Sequence, residues 1–520
     1  MNTVILALSL LFQPSVPIAH SDAGQTGWNP SESILTPASV VAGKFGKLGA
    51  WAVDGVVFTQ PLYVRSGSTN LVIIATINNT VYAFNADKPG TSPVWSKNYG
   101  TGRGGWSNNA TVSLSLYGSA FGIIGTPVAD VAGGFLYVAA SNATPNYILH
   151  KLNLSDGSDA VSAVTISASV VGTGSPGDPT SGPDLLFSAT FSLERCGLAL
   201  SPDASIVYLA FSGGSAGFIP PPWHGWVLSY ATSNLSQIAA FATTPNAWGG
   251  SVWMSGGAPT VDASGNVYVL SGAEGSWDGS TNFPDTMLKL AASSLTLLDW
   301  FTPSNHATLD ANDYDFGAGR VMIFPGTSTA IGAGKDFNVY EVSTGCMGHL
   351  QGSSACTLTT FPTLSGGSVT KFSGSYGGVV TDSLLFLPTT AGSIYEFSCP
   401  AGVCNATPAA TQTNSYGFPG PAQMSASSNG DSGLILWVVT ASTNSFTSVA
   451  PGTLRALDVN LNELWNSGSA LGNMAKFVSP TIANGRVYVP NNNNSLQVYG
   501  LIPASQLRGS ASLRGSAGVR

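Results

Sequence analysis

Ser479-Pro-Thr-Ile-Ala-Asn-Gly485, Arg486-Val-Tyr-Val489 and Ser495-Leu-Gln-Val-Tyr499 follow one another near the end of the chain. Each is a short run of β-branched and aromatic residues bounded by Asn, Gly or Ser, which reads as three strands joined by turns. The same order recurs upstream. Thr126-Pro-Val-Ala-Asp130 leads to Phe135-Leu-Tyr-Val-Ala139 and then Tyr147-Ile-Leu-His-Lys-Leu152. Ala258-Pro-Thr-Val-Asp262 leads to Asn266-Val-Tyr-Val-Leu270 and then Thr286-Met-Leu-Lys-Leu290. Side chains alternate across a strand, so each of these strands offers one face to each of two neighbouring cores.

Counting third strands counts the repeats. They fall at Val81-Tyr-Ala-Phe, Ile148-Leu-His-Lys-Leu, Trp226-Val-Leu-Ser-Tyr, Met287-Leu-Lys-Leu, Asn338-Val-Tyr-Glu-Val, Ser393-Ile-Tyr-Glu-Phe, Leu454-Arg-Ala-Leu and Leu496-Gln-Val-Tyr. Eight such units predict an all-β fold, a single eight-bladed β-propeller over residues 45–503. Most units continue into an outer strand, such as Val94-Trp95 or Leu464-Trp465, but the last stops soon after Tyr499. Lys47-Leu-Gly-Ala-Trp51 supplies the missing strand in this reading and closes the ring, which removes exposed sheet edges. Residues 24–44, with Pro and Ser, read as an unstructured lead-in. The tail, 504–520, repeats Leu-Arg-Gly-Ser and reads as disordered.

Only 8% of the 520 residues are charged, and the net charge is −8 with no basic stretch, which excludes a nucleic-acid partner. The apolar run Val4 to Phe12, followed by Pro14, Pro17 and small residues, reads as a signal peptide over 1–23. No later run is long and apolar enough for a transmembrane segment. Five cysteines fit the same export. Cys346 and Cys356 flank one short loop and Cys399 and Cys404 another, so two disulfides, Cys346–Cys356 and Cys399–Cys404, are expected, with Cys196 left over. Seven Asn-x-Ser/Thr sequons, at Asn78, Asn109, Asn142, Asn153, Asn234, Asn405 and Asn493, are compatible with an exported glycoprotein. The expected location is secreted, extracellular or periplasmic.

Residues 473–501 resemble the closing blade of pyrroloquinoline-quinone-repeat (PQQ-repeat) proteins, as do Gly55-Val-Val-Phe-Thr-Gln-Pro-Leu-Tyr-Val, Gly225-Trp-Val-Leu-Ser-Tyr and Gly256-Gly-Ala-Pro-Thr-Val-Asp. The resemblance covers roughly residues 45–501 and implies the quinoprotein alcohol dehydrogenase-like propeller. Dehydrogenases of that family hold PQQ over a Ca²⁺, with an Asp as base and a Lys or Arg at the quinone oxygens. The counterparts the resemblance offers are Asp313 and Asp315 as base and Lys335 as cation, with Asp310, Asn312, Asp313 and Asp315 as Ca²⁺ ligands. This sequence departs from the pattern twice: it has no adjacent cysteines to stack on the cofactor and no Cys-x-x-Cys-His haem motif. The alternative for the Asp/Asn cluster is a turn network bonding its own backbone.

Trp223, His224, Trp226, Trp248, Trp253 and Trp277 crowd into about 55 residues of sequence and are the candidate ligand-binding face, since aromatic rings stack on sugars and flat ligands. Their alternative role is docking one blade on the next. The histidines show no zinc spacing. Gly213-Gly-Ser215-Ala-Gly217 matches a nucleophile-elbow pattern but lacks its strand–turn–helix context. Three functions stand side by side: a non-catalytic propeller binding a glycan, small molecule or protein; a PQQ- and Ca²⁺-dependent alcohol or sugar dehydrogenase; and a structural scaffold. The first is the reading adopted, with no cofactor required.

Overall fold

In the computed structural model, residues 15–104, 120–213, 222–335, 338–353, 356, 359–361, 377–389, 393–412, 423–442 and 449–505 are described. They form eight sheets of four strands or more, antiparallel apart from one added parallel strand in each of two, with a two-stranded ribbon, Ser169–Val170 and Leu185–Leu186, beside the third. Every third strand read from the sequence is the third strand of a sheet, from Thr80–Asn85 in blade one to Ser495–Leu501 in blade eight. The helical content is a single six-residue α-helix, His306–Ala311, and short 3-10 turns among the described residues.

The alternation within a blade feeds two cores at once. In Phe135–Ser141, Leu136, Val138 and Ala140 pack with Leu71, Ile73 and Ala75 of blade one. Tyr137 and Ala139 of the same strand pack with Val207 and Leu209 of blade three. Middle strands are therefore buried on both faces, and Val267–Leu270 is buried throughout. Blades of this kind have no solvent face to mark, which is why the repeat shows as runs such as Val-Tyr-Val.

The ring closes as the sequence predicts. Phe45–Ala52 pairs antiparallel with Ser495–Leu501, setting Lys47 opposite Tyr499 and Trp51 opposite Leu496. Trp51 is fully buried and stacks on Phe84 of blade one at 4.9 Å.

The expected lead-in is not unstructured. Residues 15–32 run around the inside of the ring and bond to the innermost strands in blade order. Val16 exchanges two backbone hydrogen bonds with Tyr63 of blade one, and Pro17 O accepts from Ala129 of blade two. Ala19 packs against Gly197 at blade three. Ala23 O, Gly24 O, Thr26 O and Gly27 O accept from Val261, Ile323, Val380 and Ala426 of blades four to seven. Asn29 Nδ2 reaches Ile482 O of blade eight. Innermost strands carry unpaired backbone groups, and this segment satisfies them whatever its own composition. The boundary expected at residue 23 thus falls inside a packed stretch. The apolar run Val4 to Phe12 and the repeats of the tail lie outside the described residues.

Candidate functional site

The acidic loop is held by its own neighbourhood. Asp310, near the end of the short helix, accepts the Glu274 N–H at 2.7 Å. Asp313 sits in the left-handed region at φ 53° and meets Lys335 Nζ at 3.1 Å through Oδ1. Asp315 Oδ1 accepts the Ala273 N–H at 3.0 Å, and Oδ2 forms an ion pair with Lys335. Asn312 turns back to Thr308 O at 2.8 Å. The cluster bonds mainly across to the loop at Ala273 and Glu274 and to Lys335. Among the described residues no three His, Cys, Asp or Glu side chains are placed to hold a metal ion. The candidate ligands Asp310, Asp313 and Asp315 bond to the Glu274 and Ala273 N–H groups and to Lys335, and Asn312 uses its Nδ2 on Thr308 O. The neighbour that sequence reasoning passed over is Glu274, pushed up to about 7 by burial and then by the carboxylates of Asp315, Asp313 and Asp310.

The tryptophans do not share one face. Trp226 lies in the core between blades, edge-on to Phe187. Trp223 and Trp248 meet edge to face at 5.2 Å, with Trp223 fully buried. Trp277 joins a different group, with Trp300 at 5.9 Å and His306 at 4.5 Å. Trp253 packs in a third group, against Phe58, Phe121, Ile124 and Leu193. Blade docking accounts for most of the set. His224 is buried between two acceptors, Thr244 O at 3.0 Å and the Asp178 carboxylate at 2.7 Å, which ties the segment around Asp178 to blade three. Of the Gly213–Gly217 pattern, Ser215 and Gly217 lie outside the described residues.

The described residues place a second polar group at the ring's centre that the sequence did not reveal. Residues 20–27 close a loop there, Gly27 N–H bonding His20 O at 2.8 Å. Over it come residues that precede the innermost strands of four blades. Gln60 of blade one accepts the His20 N–H at 2.8 Å and reaches Thr481 of blade eight. Arg195, ahead of blade three, bonds Ile124 O at 3.2 Å and Phe477 O at 3.0 Å. Arg320, ahead of blade five and fully buried, bonds Gln25 O at 3.2 Å and Gly378 O at 2.6 Å. Lys476, ahead of blade eight, lies 5.0 Å over the Phe477 ring. Burial, and then the charges of Arg320 and Arg195, drive the His20 imidazole to its neutral form. Burial likewise pushes the Glu194 carboxyl well up, against the pull of Arg195. The signal was present in the sequence as charged residues just ahead of innermost strands in a chain with 8% charge.

Two cysteine pairs, Cys346 with Cys356 and Cys399 with Cys404, lie at disulfide distance, and Cys196 is a buried free thiol. No helix among the described residues is long and apolar enough to cross a membrane.

No protein-family model matches the sequence, and neither does any curated protein. Solved structures do match. A europium-containing methanol dehydrogenase superposes with a TM-score of 0.61 at 11% identity, over 94% of this chain and 98% of that one. Quinohemoprotein alcohol dehydrogenase ADHIIG of Pseudomonas putida HK5 gives 0.59 at 11%, over 94% and 80%. BamB of Moraxella catarrhalis gives 0.50 at 10%, over 88% and 97%. The chain therefore has the eight-bladed propeller fold of the quinoprotein alcohol and methanol dehydrogenases, at an identity that speaks for architecture alone.

Proposed function

We propose that this chain is an exported, non-catalytic propeller that binds a ligand or partner, with the mouth of the central channel as its binding region. The observation that carries the reading is the occupation of Asp315. One carboxylate oxygen takes the Ala273 N–H and the other is paired with Lys335. A general base must offer a lone pair to the proton it abstracts, and a carboxylate paired with an ammonium is a weaker base. Lys335 is likewise drawn onto Asp313 and Asp315. The chain has no adjacent cysteines, and among the described residues no three His, Cys, Asp or Glu side chains are grouped to hold a metal ion, which supports a reading without a metal-held quinone. The two cysteine pairs at disulfide distance support export.

The test is titration of the purified protein with PQQ and Ca²⁺, followed by absorbance and by dye reduction with alcohols and sugars. The expected result is no dye reduction. Saturable PQQ binding with dye reduction, abolished in Asp315→Ala, would overturn the reading in favour of the dehydrogenase.

A further inference from the structure

Asn-Leu-Ser occurs twice among the sequons, at Asn153 and at Asn234, each time where the third strand of a blade turns into its outer strand. The two turns are built alike. In blade two, Gly157 N–H bonds Asn153 O at 2.9 Å and Asn153 N–H bonds Ser158 O at 2.8 Å. In blade three, Leu235 N–H bonds Ala231 O at 2.8 Å and Ala231 N–H bonds Ser236 O at 2.8 Å. Blade four repeats the pattern with Ala291, Leu295 and Thr296. The fifth position is left-handed in all three, with Gly157 at φ 71°, Leu235 at 59° and Leu295 at 52°. Counted along this shared turn, Asn153 holds the first position and Asn234 the fourth. One tripeptide therefore stands in two registers of one turn.

Register decides what the two amides meet. At the first position the turn folds back over the side chain. Asn153 is half-buried, and its Nδ2 donates to Ser158 Oγ at 2.9 Å and to Ser158 O at 3.4 Å. The same turn is pressed onto the Trp95 ring, since a Cβ on Gly157 would fall 2.4 Å from it. A sugar on Asn153 Nδ2 would have to displace Ser158. The fourth position is exposed in each blade, and its side chain caps the sixth. Asp156 accepts the Ser158 N–H at 2.9 Å, Asn234 Oδ1 the Ser236 N–H at 3.0 Å, and Ser294 Oγ the Thr296 N–H at 3.4 Å. That cap uses only the amide oxygen of Asn234. Its Nδ2 has no partner among the described residues, so a substituent there breaks no native hydrogen bond. Leu235, 1% exposed, fixes the turn in the core between blades.

We propose that Asn234 carries an N-linked glycan and that Asn153, with the same sequon, does not. The reaction is a glycosyl transfer from a lipid-linked oligosaccharide. Asn234 Nδ2 forms a bond to C1 of the first sugar, the bond from C1 to the lipid pyrophosphate breaks, and Nδ2 gives up one proton; nothing is oxidised or reduced. Asn78 and Asn142 share the handicap of Asn153: Asn78 Nδ2 donates to Asp54 O, and Asn142 Oδ1 is buried. Asn405 and Asn493 are exposed, and Asn109 lies outside the described residues. The pair at 153 and 234 is the sharpest comparison because its sequence is constant. The glycan would stand at the head of the outer strand Gln237–Ala242, where Ile238 is 42% exposed, and polar bulk there guards a sheet edge. The proposal rests on the export half of the reading above.

The experiment is glycopeptide mapping of the full chain exported by its native producer. An amidase that cleaves the sugar–Asn bond leaves Asp where a glycan stood, and heavy-oxygen water labels that Asp for peptide mass spectrometry. Labelled Asp at 234 with unchanged Asn at 153 is the expected result. Conversion at 153 equal to or above that at 234, or unconverted Asn234 in exported protein, overturns the assignment. Asn234→Gln should remove one glycan's mass from the exported chain, and Asn153→Gln should remove none. The mapping of the parent protein decides the matter even where a variant fails to fold. A chain retained inside the cell would instead overturn the export reading, so the two failures are told apart.

Discussion

Gly27 gives its backbone N–H to the carbonyl of His20 at 2.8 Å, and by that bond an N-terminal segment touching all eight blades closes on itself inside the ring. The propeller is thus clasped twice, by Phe45–Ala52 at the outer edge of blade eight and by this inner loop. The inner clasp is anchored by Trp28, which pairs in parallel with Ala426 and donates its indole N–H to Ser428 Oγ at 2.7 Å. Trp28→Ala should cost about 3–5 kcal/mol in urea unfolding, the usual range for a buried aromatic. The exported chain should begin at or before Val16 when sequenced from its N-terminus. A mature chain starting at Gly24 would show that the clasp is dispensable.

The cysteines carry a second prediction. Peptide mapping without reduction should link Cys346 to Cys356 and Cys399 to Cys404. Cys196 should resist alkylation until the protein is unfolded, because it is buried and its thiol is pushed well up, first by burial and then by Glu194. Replacing both Cys399 and Cys404 by Ser should lower stability by about 2 kcal/mol, the loop-closure value for so short a ring. Free thiols at those four positions in exported material would contradict the pairing.

What the sequence made legible was whatever repeats. Eight third strands, their turns and the strand exchange at Trp51 each follow from alternation plus edge protection, and each stands where expected. The inner clasp was illegible for a physical reason. It bonds through its main chain, so Pro17 and Ser21 could read as the end of a signal peptide and Gly24 as the start of a linker and still be fixed. The centre of the ring was illegible because its residues stand singly ahead of separate blades, and only ring closure brings His20, Arg195, Arg320 and Lys476 together. The Trp-rich stretch misled in the opposite sense. Trp223, Trp226 and Trp277 are close in sequence, but successive blades carry them to separate groups.

His224 and Asp178 form a buried pair, and their removal is a third prediction. Burial works to raise the Asp178 carboxyl, but hydrogen bonds from the Thr180 hydroxyl and N–H, then from His224, hold it below its usual value. A depressed carboxylate contributes stability that is fully present above its unfolded value of about 4 and is lost as pH falls through the folded one. Asp178→Asn should therefore destabilise the protein at pH 7 by about 2 kcal/mol, since it removes the carboxylate that accepts from His224, the Thr180 hydroxyl and the Thr180 N–H. The difference from the parent should shrink as pH is taken below 4. A difference that stays constant down to pH 2 would mean the pair is not the source.

Lys476 supplies the last prediction, and it reads out the centre of the ring without any assumed ligand. Burial, and then repulsion from Arg195, lower its ammonium to about 8. An ordinary lysine titrates near 10.4, so between roughly pH 8 and 10 the unfolded chain binds a proton that the folded chain has released. Stability gained from this site must then rise with pH across that window, because the unfolded state holds more protons there. Acylation by an amine-directed reagent at pH 8 should mark Lys476 ahead of exposed lysines such as Lys88, as quantified by peptide mass spectrometry. Arg195→Met should slow that reaction by removing the neighbouring charge that helps to depress the ammonium. Equal labelling of Lys476 and Lys88, in the parent and in Arg195→Met alike, would mean that the two cations do not meet at the axis.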